Sequence, residues 1–242
     1  MTGVDGAEAA ALLGLKPVPP ERTEPYGEHP SQVIDFYGLG ARGPRITVLH
    51  GGFWREAYDR SHLSPFAAAL AERGMAVRLV EYRRVGGGGG WPETVRDVDA
   101  ALDRLDRLGG TNVLLGHSAG GQLALWAASK RDRAADRVVA VAPVADLARA
   151  HRLRLSECAV AEFLGGEQQL AERLPEADPM RLPPRVPVEI LHGTADTQVP
   201  LELSRRYADE WGARLHLLTG VGHYAPFTPG TPAFGVLADA LK

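Results

Sequence analysis

The amino-acid sequence predicts a single α/β domain whose central β-sheet is mostly parallel and carries helices on both faces. Short apolar runs, typical of strands buried on both sides, recur along the 242 residues, and most precede a segment with helical periodicity. Repeated strand–helix units of this length imply a parallel sheet, because each helix returns the chain to the edge where the next strand begins. The sequence contains neither an internal repeat nor a linker long enough to separate two domains.

The first half of the chain opens with a proline-rich segment, residues 1–30, which we expect to form an arm across the domain surface. Residues 31–37 alternate in a way that predicts an early antiparallel strand at the sheet edge. Ser64 is expected to cap the first helix, and Gly109 and Gly110 are expected to end the second. The predicted elements of this half are strands at 31–37, 46–49 and 76–80 and helices at 65–73 and 95–105.

The second half continues the alternation, apart from a less regular region at 143–187. One low-complexity patch precedes this half, a run of five glycines at 86–90 in a strand–helix loop. This loop is interpreted either as a flexible connector or as a border of the active site. The remaining predicted elements are strands at 112–115, 138–141, 188–191 and 215–218 and helices at 122–130, 203–211 and 231–241.

The composition is that of a globular protein and argues against several functions. Hydrophobic residues make up 45% of the chain and charged residues 24%. The net charge of −3, without a run of Lys or Arg, argues against an extended nucleic-acid surface. Cys158 is the only cysteine, so the sequence predicts no internal disulfide and no multi-cysteine metal site. Residues 1–15 lack the features of a secretory signal, and no apolar run reaches the length of a membrane span, so we expect a cytoplasmic location.

A Gly-His-Ser-Ala-Gly segment at 116–120 lies between a buried strand and a helix. A sharp strand-to-helix turn holds its central residue in a strained backbone conformation, and the flanking glycines avoid collisions with the neighbouring strand and helix. The serine hydroxyl is thereby raised above the sheet at a helix N-terminus, where the helix dipole favours negative charge. The segment predicts that Ser118 is a nucleophile; the alternative is a helix start with a capping serine.

A serine nucleophile requires a base and an acid that orients the base, and in this strand–turn–helix context the chain order is serine, acid, histidine. Asp196 follows the strand at 188–191, and His223 follows the last strand in a glycine-containing loop, so we predict these as acid and base. Asp146, after the preceding strand, is the alternative acid. Of the remaining histidines, His62 is expected to be solvated, and His117 to face away from the position of a base.

The loop His-Gly-Gly-Phe-Trp at 50–54 follows an early strand and is the candidate oxyanion loop. Its glycines allow backbone amides to turn toward a reacting carbonyl without interference from a Cβ atom. We predict that the amides of Gly52, Phe53 and Ala119 form the oxyanion hole and that Gly51 shapes the loop.

These two segments, together with Glu-Tyr-Arg-Arg at 81–84 and the Trp91–Pro92 dipeptide, resemble the α/β-hydrolase superfamily. Within it the sequence is most similar to kynurenine formamidases (arylformamidases) and to small carboxylesterases and lipases. The resemblance implies an α/β-hydrolase fold and a serine hydrolase that needs neither a metal nor a cofactor. It also implies that region 143–187 is a cap-like insertion over the pocket.

The predicted partner is a small-molecule ester or aryl formamide, with no nucleic acid and no membrane, and the oligomeric state is left open. Trp54, Trp91 and Tyr224 are candidates for an aromatic substrate pocket. For Trp91 a place in the hydrophobic core is an equally good interpretation. A non-catalytic binding protein on a hydrolase scaffold is the alternative function.

Overall fold

The structure, a computed structural model, describes residues 3–132 and 134–242, in which an eight-stranded sheet is flanked by helices. Residues 1 and 2 of the predicted arm lie outside the described residues. The strands are β1 (Arg22–Pro25), β2 (Val33–Tyr37), β3 (Arg45–Leu49), β4 (Ala76–Val80), β5 (Val113–His117), β6 (Arg137–Val141), β7 (Val188–Gly193) and β8 (Arg214–Leu218). The helices are α1 (Val4–Leu13), α2 (Ser64–Glu72), α3 (Glu93–Asp106), α4 (Ala119–Lys130), α5 (Leu147–Arg152), α6 (Ala159–Phe163), α7 (Glu167–Ala177), α8 (Leu201–Trp211) and α9 (Pro232–Ala240).

The strand order is β1-β2-β4-β3-β5-β6-β7-β8, and from β4 to β8 all neighbours are parallel. The predicted α/β class with a mostly parallel sheet is therefore confirmed. The chain leaves β3 toward one side for β4 and returns to the other side for β5, so the order reverses between β3 and β5. In open α/β sheets, ligands bind beyond the carboxyl ends of the strands at such a reversal.

Strand β2 is antiparallel, as predicted, but its predicted position at the edge is wrong. Strand β1 pairs with its outer side, with Thr23 opposite Asp35, and the Thr23 hydroxyl donates a hydrogen bond to that carboxylate. The four residues of β1 end in Pro25 and are too short to display the alternation that identifies a strand.

The predicted N-terminal arm also contains helix α1. Leu12 of α1 is buried against the same core as α2 and α9, so this part of the arm is packed secondary structure. The helix is rich in alanine, and its apolar positions contrast little with the rest of its surface. This composition explains why sequence periodicity did not reveal it.

Two hydrophobic cores lie on the two faces of the sheet, and the strands supply alternate side chains to each. In β5, Leu114 belongs to the core beneath α3, α4 and α8, whereas Val113 and Leu115 belong to the core beneath α2 and α9. This two-residue period, with every strand position buried, is the pattern of a central parallel strand.

Two local expectations are revised by the structure. Region 143–187 forms helices α5, α6 and α7 and a short 3-10 turn, and is therefore more regular than its sequence indicates. Ser64 is the first residue of α2 and not its cap. Its hydroxyl donates to the Ser61 carbonyl (2.6 Å) and accepts the Val18 amide (3.0 Å), which ties the N-terminal segment to this turn.

Candidate active site

Ser118 lies at the turn between β5 and α4, and its backbone adopts φ 55° and ψ −115°. A positive φ is unfavourable for a residue with a side chain and is kept only where the surroundings enforce it. The Ser118 amide donates to the Val141 carbonyl (2.9 Å), and the Ser118 carbonyl accepts the amides of Gln122 and Val144. The turn is thus fixed by β6 on one side and by α4 on the other.

The glycines on either side of Ser118 are required by close backbone contacts. A Cβ atom on Gly116 would lie 2.3 Å from the Gly120 carbonyl oxygen. A Cβ atom on Gly120 would lie 2.2 Å from the Leu49 carbonyl oxygen and 2.3 Å from that of His50. All three distances are shorter than van der Waals contact, so the helix can approach the sheet only because these side chains are absent.

Asp196 and His223 are brought together from the loops after β7 and β8. Nδ1–H of His223 donates to Oδ2 of Asp196 across 2.7 Å, and both side chains are almost completely buried. Oδ1 of Asp196 accepts the amides of Gln198 (2.8 Å) and Val199 (2.9 Å), which fixes the carboxylate. Gly193 permits this approach, because a Cβ atom there would lie 2.2 Å from the Val221 carbonyl oxygen.

A second histidine, His192, lies against Asp196. Its Nε2 lies 3.0 Å from the Val199 carbonyl and 3.4 Å from Oδ2 of Asp196, and its Nδ1 lies 2.7 Å from the Ser204 hydroxyl. Burial by itself raises the pKa of Asp196, but hydrogen bonding with His192, His223 and the Val199 amide holds that pKa well below its ordinary value. Asp196 is therefore a carboxylate at neutral pH.

Asp146, the alternative acid, has other partners. Its Oδ1 accepts the Arg149 amide at the start of α5 (2.7 Å), and its Oδ2 accepts Nε–H of Arg206 (2.7 Å). The structure thus pairs His223 with Asp196 and gives Asp146 a helix-capping role.

The loop after β3 runs directly against Ser118. A Cβ atom on Gly51 would lie 3.1 Å from both Cβ of Ser118 and the carbonyl oxygen of His117. Gly52, Phe53 and Trp54 follow with φ values of 115°, 53° and 58°, so three consecutive residues have the backbone in the left-handed region. This backbone conformation bends the loop beside the turn at Ser118. Ala119 follows Ser118 and is the first residue of α4, so its amide has no acceptor within that helix.

Contacts on the far side of the loop hold this strained conformation. The indole N–H of Trp54 donates to Oε1 of Gln122 in α4 (3.1 Å), and the Trp54 ring stacks on Phe163 in α6 with centroids 4.6 Å apart.

Arg55, the next residue of the loop, forms a two-bond ion pair with Glu162 (2.8 and 2.9 Å) and donates to the Ser156 carbonyl (2.8 Å). Region 143–187 therefore supports the loop from behind.

A cavity of about 110 Å³ lies over Ser118 and His223. Gly51, Gly52 and Phe53 also line it, so the predicted nucleophile, base and oxyanion loop share one space. The other residues that line it are Leu13, Tyr58, His62, His117, Gln198 and Tyr224.

Of the three predicted pocket residues, Tyr224 lines this cavity, but Trp54 and Trp91 do not. Trp54 is 1% exposed behind the loop, and Trp91 packs edge-on against Trp126 and Phe163 in the hydrophobic core. Their assignment to the pocket is wrong, because both rings lie on the core side of their loops. Region 143–187 likewise contributes no described residue to the wall of this cavity.

Sequence reasoning missed several residues of the cavity wall. His62 was expected to be solvated, but it lies beside the cavity with Nδ1 2.5 Å from the Asp59 carbonyl, and burial lowers its pKa to about 4. Nε2–H of His117 donates to the His223 carbonyl (3.1 Å), and the two rings lie 4.6 Å apart. Burial holds the pKa of His117 well below its ordinary value, so this ring is a neutral neighbour of His223.

The described residues contain no cluster of three or more His, Cys, Asp or Glu side chains arranged to hold a metal ion. Within the same residues, no helix is both long and apolar enough to cross a membrane.

The sheet topology, the nucleophile turn and the loops that meet at the carboxyl edge define a member of the α/β-hydrolase superfamily. A family model described as BD-FAE matches residues 35–210, and the chain therefore belongs to the BD-FAE family. The match spans β2 to most of α8 and includes Ser118 and Asp196, whereas α1 and His223 lie outside it.

Solved structures of low sequence identity share the fold. Esterase B from Lactobacillus rhamnosis superimposes with a TM-score of 0.75 at 20% identity, covering 98% of this chain and 91% of its own. An acetyl ester-xyloside bifunctional hydrolase from Caldicellulosiruptor lactoaceticus gives a TM-score of 0.72 at 20% identity, covering 92% of this chain and 94% of its own. These similarities confirm the predicted α/β-hydrolase fold.

An uncharacterized protein of Mycobacterium tuberculosis, found in two strains, is 29% identical over 196 residues. The alignment covers 77% of this chain and 65% of that protein, so the chain spans slightly less than two thirds of its relative's length.

Proposed function

We propose that this protein is a serine hydrolase that cleaves small acyl esters through an acyl-enzyme intermediate. The observation that carries the proposal is the Asp196–His223 hydrogen bond beside a cavity that Ser118 also lines. Ser118 Oγ attacks the substrate carbonyl, and Nε2 of His223 takes its proton and returns it to the leaving group. Asp196 stabilises the imidazolium, and water then hydrolyses the acyl group from Ser118.

We assign the backbone amides of Gly52, Phe53 and Ala119 as the donors that bind the oxyanion formed in each step. Two observations support this assignment: a Cβ atom on Gly51 would lie 3.1 Å from Cβ of Ser118, and the Ala119 amide is the first of helix α4. A donor of this kind typically contributes about 2.7–4 kcal/mol to transition-state stabilisation.

The size of the cavity favours a short acyl group. Its volume of about 110 Å³ is well below the roughly 300–1,000 Å³ of pockets that enclose a drug-sized ligand. A formyl, acetyl or propionyl group is enclosed, while a larger leaving group extends out of the cavity. Esterase B, which shares the fold, has been solved with a tributyrin phosphonate inhibitor, and this is compatible with a short acyl chain.

An aryl formamide is the other substrate class to be tested. Its aromatic leaving group would contact Phe53, Tyr58 and Tyr224, since Trp54 and Trp91 are withdrawn into the core. We expect kcat/KM to be higher for p-nitrophenyl acetate than for N-formylkynurenine, and to fall as the acyl chain lengthens from acetate to octanoate. A reversed order between the first two substrates would assign the enzyme to the formamidases.

The mechanism is tested by Ser118→Ala, with Ser129→Ala as the matched control at the opposite end of α4. The Ser129 hydroxyl donates to the Trp126 carbonyl (2.7 Å) and takes no part in the cavity. Ser118→Ala should remove turnover of p-nitrophenyl acetate and labelling by a fluorophosphonate probe, whereas Ser129→Ala should retain both. Turnover by Ser118→Ala would overturn the mechanism, and inertness of the wild type to ester and probe would favour a binding protein.

A further inference from the structure

Helix α1 places two carboxylates against the loops that carry Asp196 and His223. We infer that Asp5 and Glu8 are positioning residues, which hold the base and the acid in alignment with Ser118. This inference rests on the proposed serine-hydrolase function and assigns a catalytic purpose to a segment outside the family match at 35–210.

Asp5 joins the base loop to the acid loop. Its Oδ1 accepts the backbone amide of His223 (2.6 Å), and its Oδ2 accepts both the amide (2.6 Å) and the hydroxyl (2.5 Å) of Thr197. Thr197 directly follows Asp196 in the chain. One side chain, 3% exposed, therefore sets the distance between the two loops at the residues that matter for proton transfer.

Glu8, one helical turn further along α1, binds the base loop on either side of His223. Its Oε1 accepts the amide of Gly222 (2.8 Å), and its Oε2 accepts the amides of Tyr224 (3.0 Å) and Ala225 (2.8 Å). The amides of four consecutive residues, 222–225, thus point at α1, and Asp5 and Glu8 accept all four.

The fit between α1 and the loop depends on Gly222. A Cβ atom there would lie 2.2 Å from Oδ1 of Asp5 and 2.9 Å from Oε2 of Glu8. The glycine before the base thus provides room for the two carboxylates, in addition to shaping the loop.

His223 is held from both sides of its peptide unit. Asp5 binds its amide, and Nε2–H of His117 binds its carbonyl (3.1 Å). Hydrogen bonds to a charged group are stronger than neutral ones, and a misplacement of about 1 Å at a catalytic group can cost roughly 100-fold in rate.

The test uses Asp5→Asn, Glu8→Gln and the double variant. In each variant the new side-chain amide replaces one carboxylate oxygen by an NH2 group. This group faces a backbone N–H and cannot accept its hydrogen bond, so one contact with the loop is lost while the side chain keeps nearly the same size. We expect kcat for p-nitrophenyl acetate, per active site titrated with a fluorophosphonate, to fall about 10-fold in each single variant and further in the double. KM should change less than threefold, and amide hydrogen exchange over 194–199 and 220–227 should accelerate.

Glu21→Gln is the matched control. Glu21 also accepts two backbone amides, those of Gly38 (2.5 Å) and Leu39 (3.4 Å), but it does so at the far end of β2. This variant should keep the wild-type kcat per titrated site. If the α1 variants lose activity only in proportion to the loss of titratable sites, or keep their kcat, the positioning role is overturned.

Failure of the proposed function is distinguishable from failure of this inference. A wild type that neither cleaves the ester nor reacts with the probe refutes the hydrolase and the catalytic purpose of α1 with it. A wild type that turns over, with unchanged kcat per titrated site in the double variant, refutes the positioning role alone.

Discussion

Nδ1 of His223 and Oδ2 of Asp196 lie 2.7 Å apart, although one residue follows β8 and the other β7. The bond forms because β7 and β8 are parallel neighbours whose carboxyl ends meet at one edge of the sheet. Asp146 follows β6 at the same edge but pairs with Arg206. This difference supports our proposal that Asp196, and not Asp146, is the acid.

Asp196→Asn should lower kcat by about 10⁴-fold, because an amide stabilises the wrong tautomer of His223 and cannot stabilise the imidazolium. Asp146→Asn should keep kcat within about threefold, although it weakens the cap of α5 and the contact with Arg206. Steady-state kinetics with p-nitrophenyl acetate compares the two. An equal loss of kcat in both variants would contradict the assignment of the acid.

Gly120→Ala should destabilise the protein by more than about 3 kcal/mol, because the new methyl group lies 2.2–2.3 Å from two carbonyl oxygens. Gly235→Ala, inside helix α9, is the matched control. A Cβ atom there meets no heavy atom within 4 Å, so this change should stabilise the protein by about 0.5–1 kcal/mol. Urea unfolding measures both, and a tolerated alanine at 120 would show that the helix does not need this close approach.

Tyr224 lines the cavity and Trp91 lies in the core, so substitutions at these two residues should affect different quantities. Tyr224→Ala removes part of the cavity wall and should raise KM about fivefold, the equivalent of roughly 1 kcal/mol of lost contact. Trp91→Phe leaves the cavity intact and should lower the free energy of unfolding by about 1–2 kcal/mol without changing KM. A raised KM in the Trp91 variant would restore that residue to the pocket.

The free energy of unfolding should fall as the pH is lowered from about 6.5 to about 4. Burial lowers the pKa of His62 to about 4 in the folded protein, whereas the unfolded chain takes up this proton near the ordinary value of 6.5. The unfolded state therefore binds more protons in this interval. A histidine with such a lowered pKa contributes up to about 1.4 kcal/mol per pH unit to the slope of the unfolding free energy against pH.

His62→Gln should make this slope shallower between pH 4 and 6.5 and leave the curve parallel to that of the wild type above pH 7. Urea titrations at half-unit intervals provide the comparison. Curves that stay parallel through the whole range would show that His62 is not protonated preferentially in the unfolded state.

The repeated local patterns of the chain by themselves determined strands β2 to β8, the helices α2, α3, α4, α8 and α9, the turn around Ser118 and the strand-end positions of Asp196 and His223. Each depends on a few neighbouring residues: a buried apolar run, a glycine two positions away, or a loop that follows a strand. Because parallel strands end at the same edge, such local information also places these residues near one another.

Only the tertiary structure decided what surrounds them. Asp5 contacts Thr197 and His223 across 192 and 218 residues, and no local pattern in a short alanine-rich helix signals such a contact. Trp54 and Trp91 occupy the core and not the pocket, because the backbone direction of their loops, including φ 58° at Trp54, determines which side each ring faces. Residue types and spacing thus predict the chemistry of Ser118, while packing between distant segments determines the cavity wall and the contacts that hold His223.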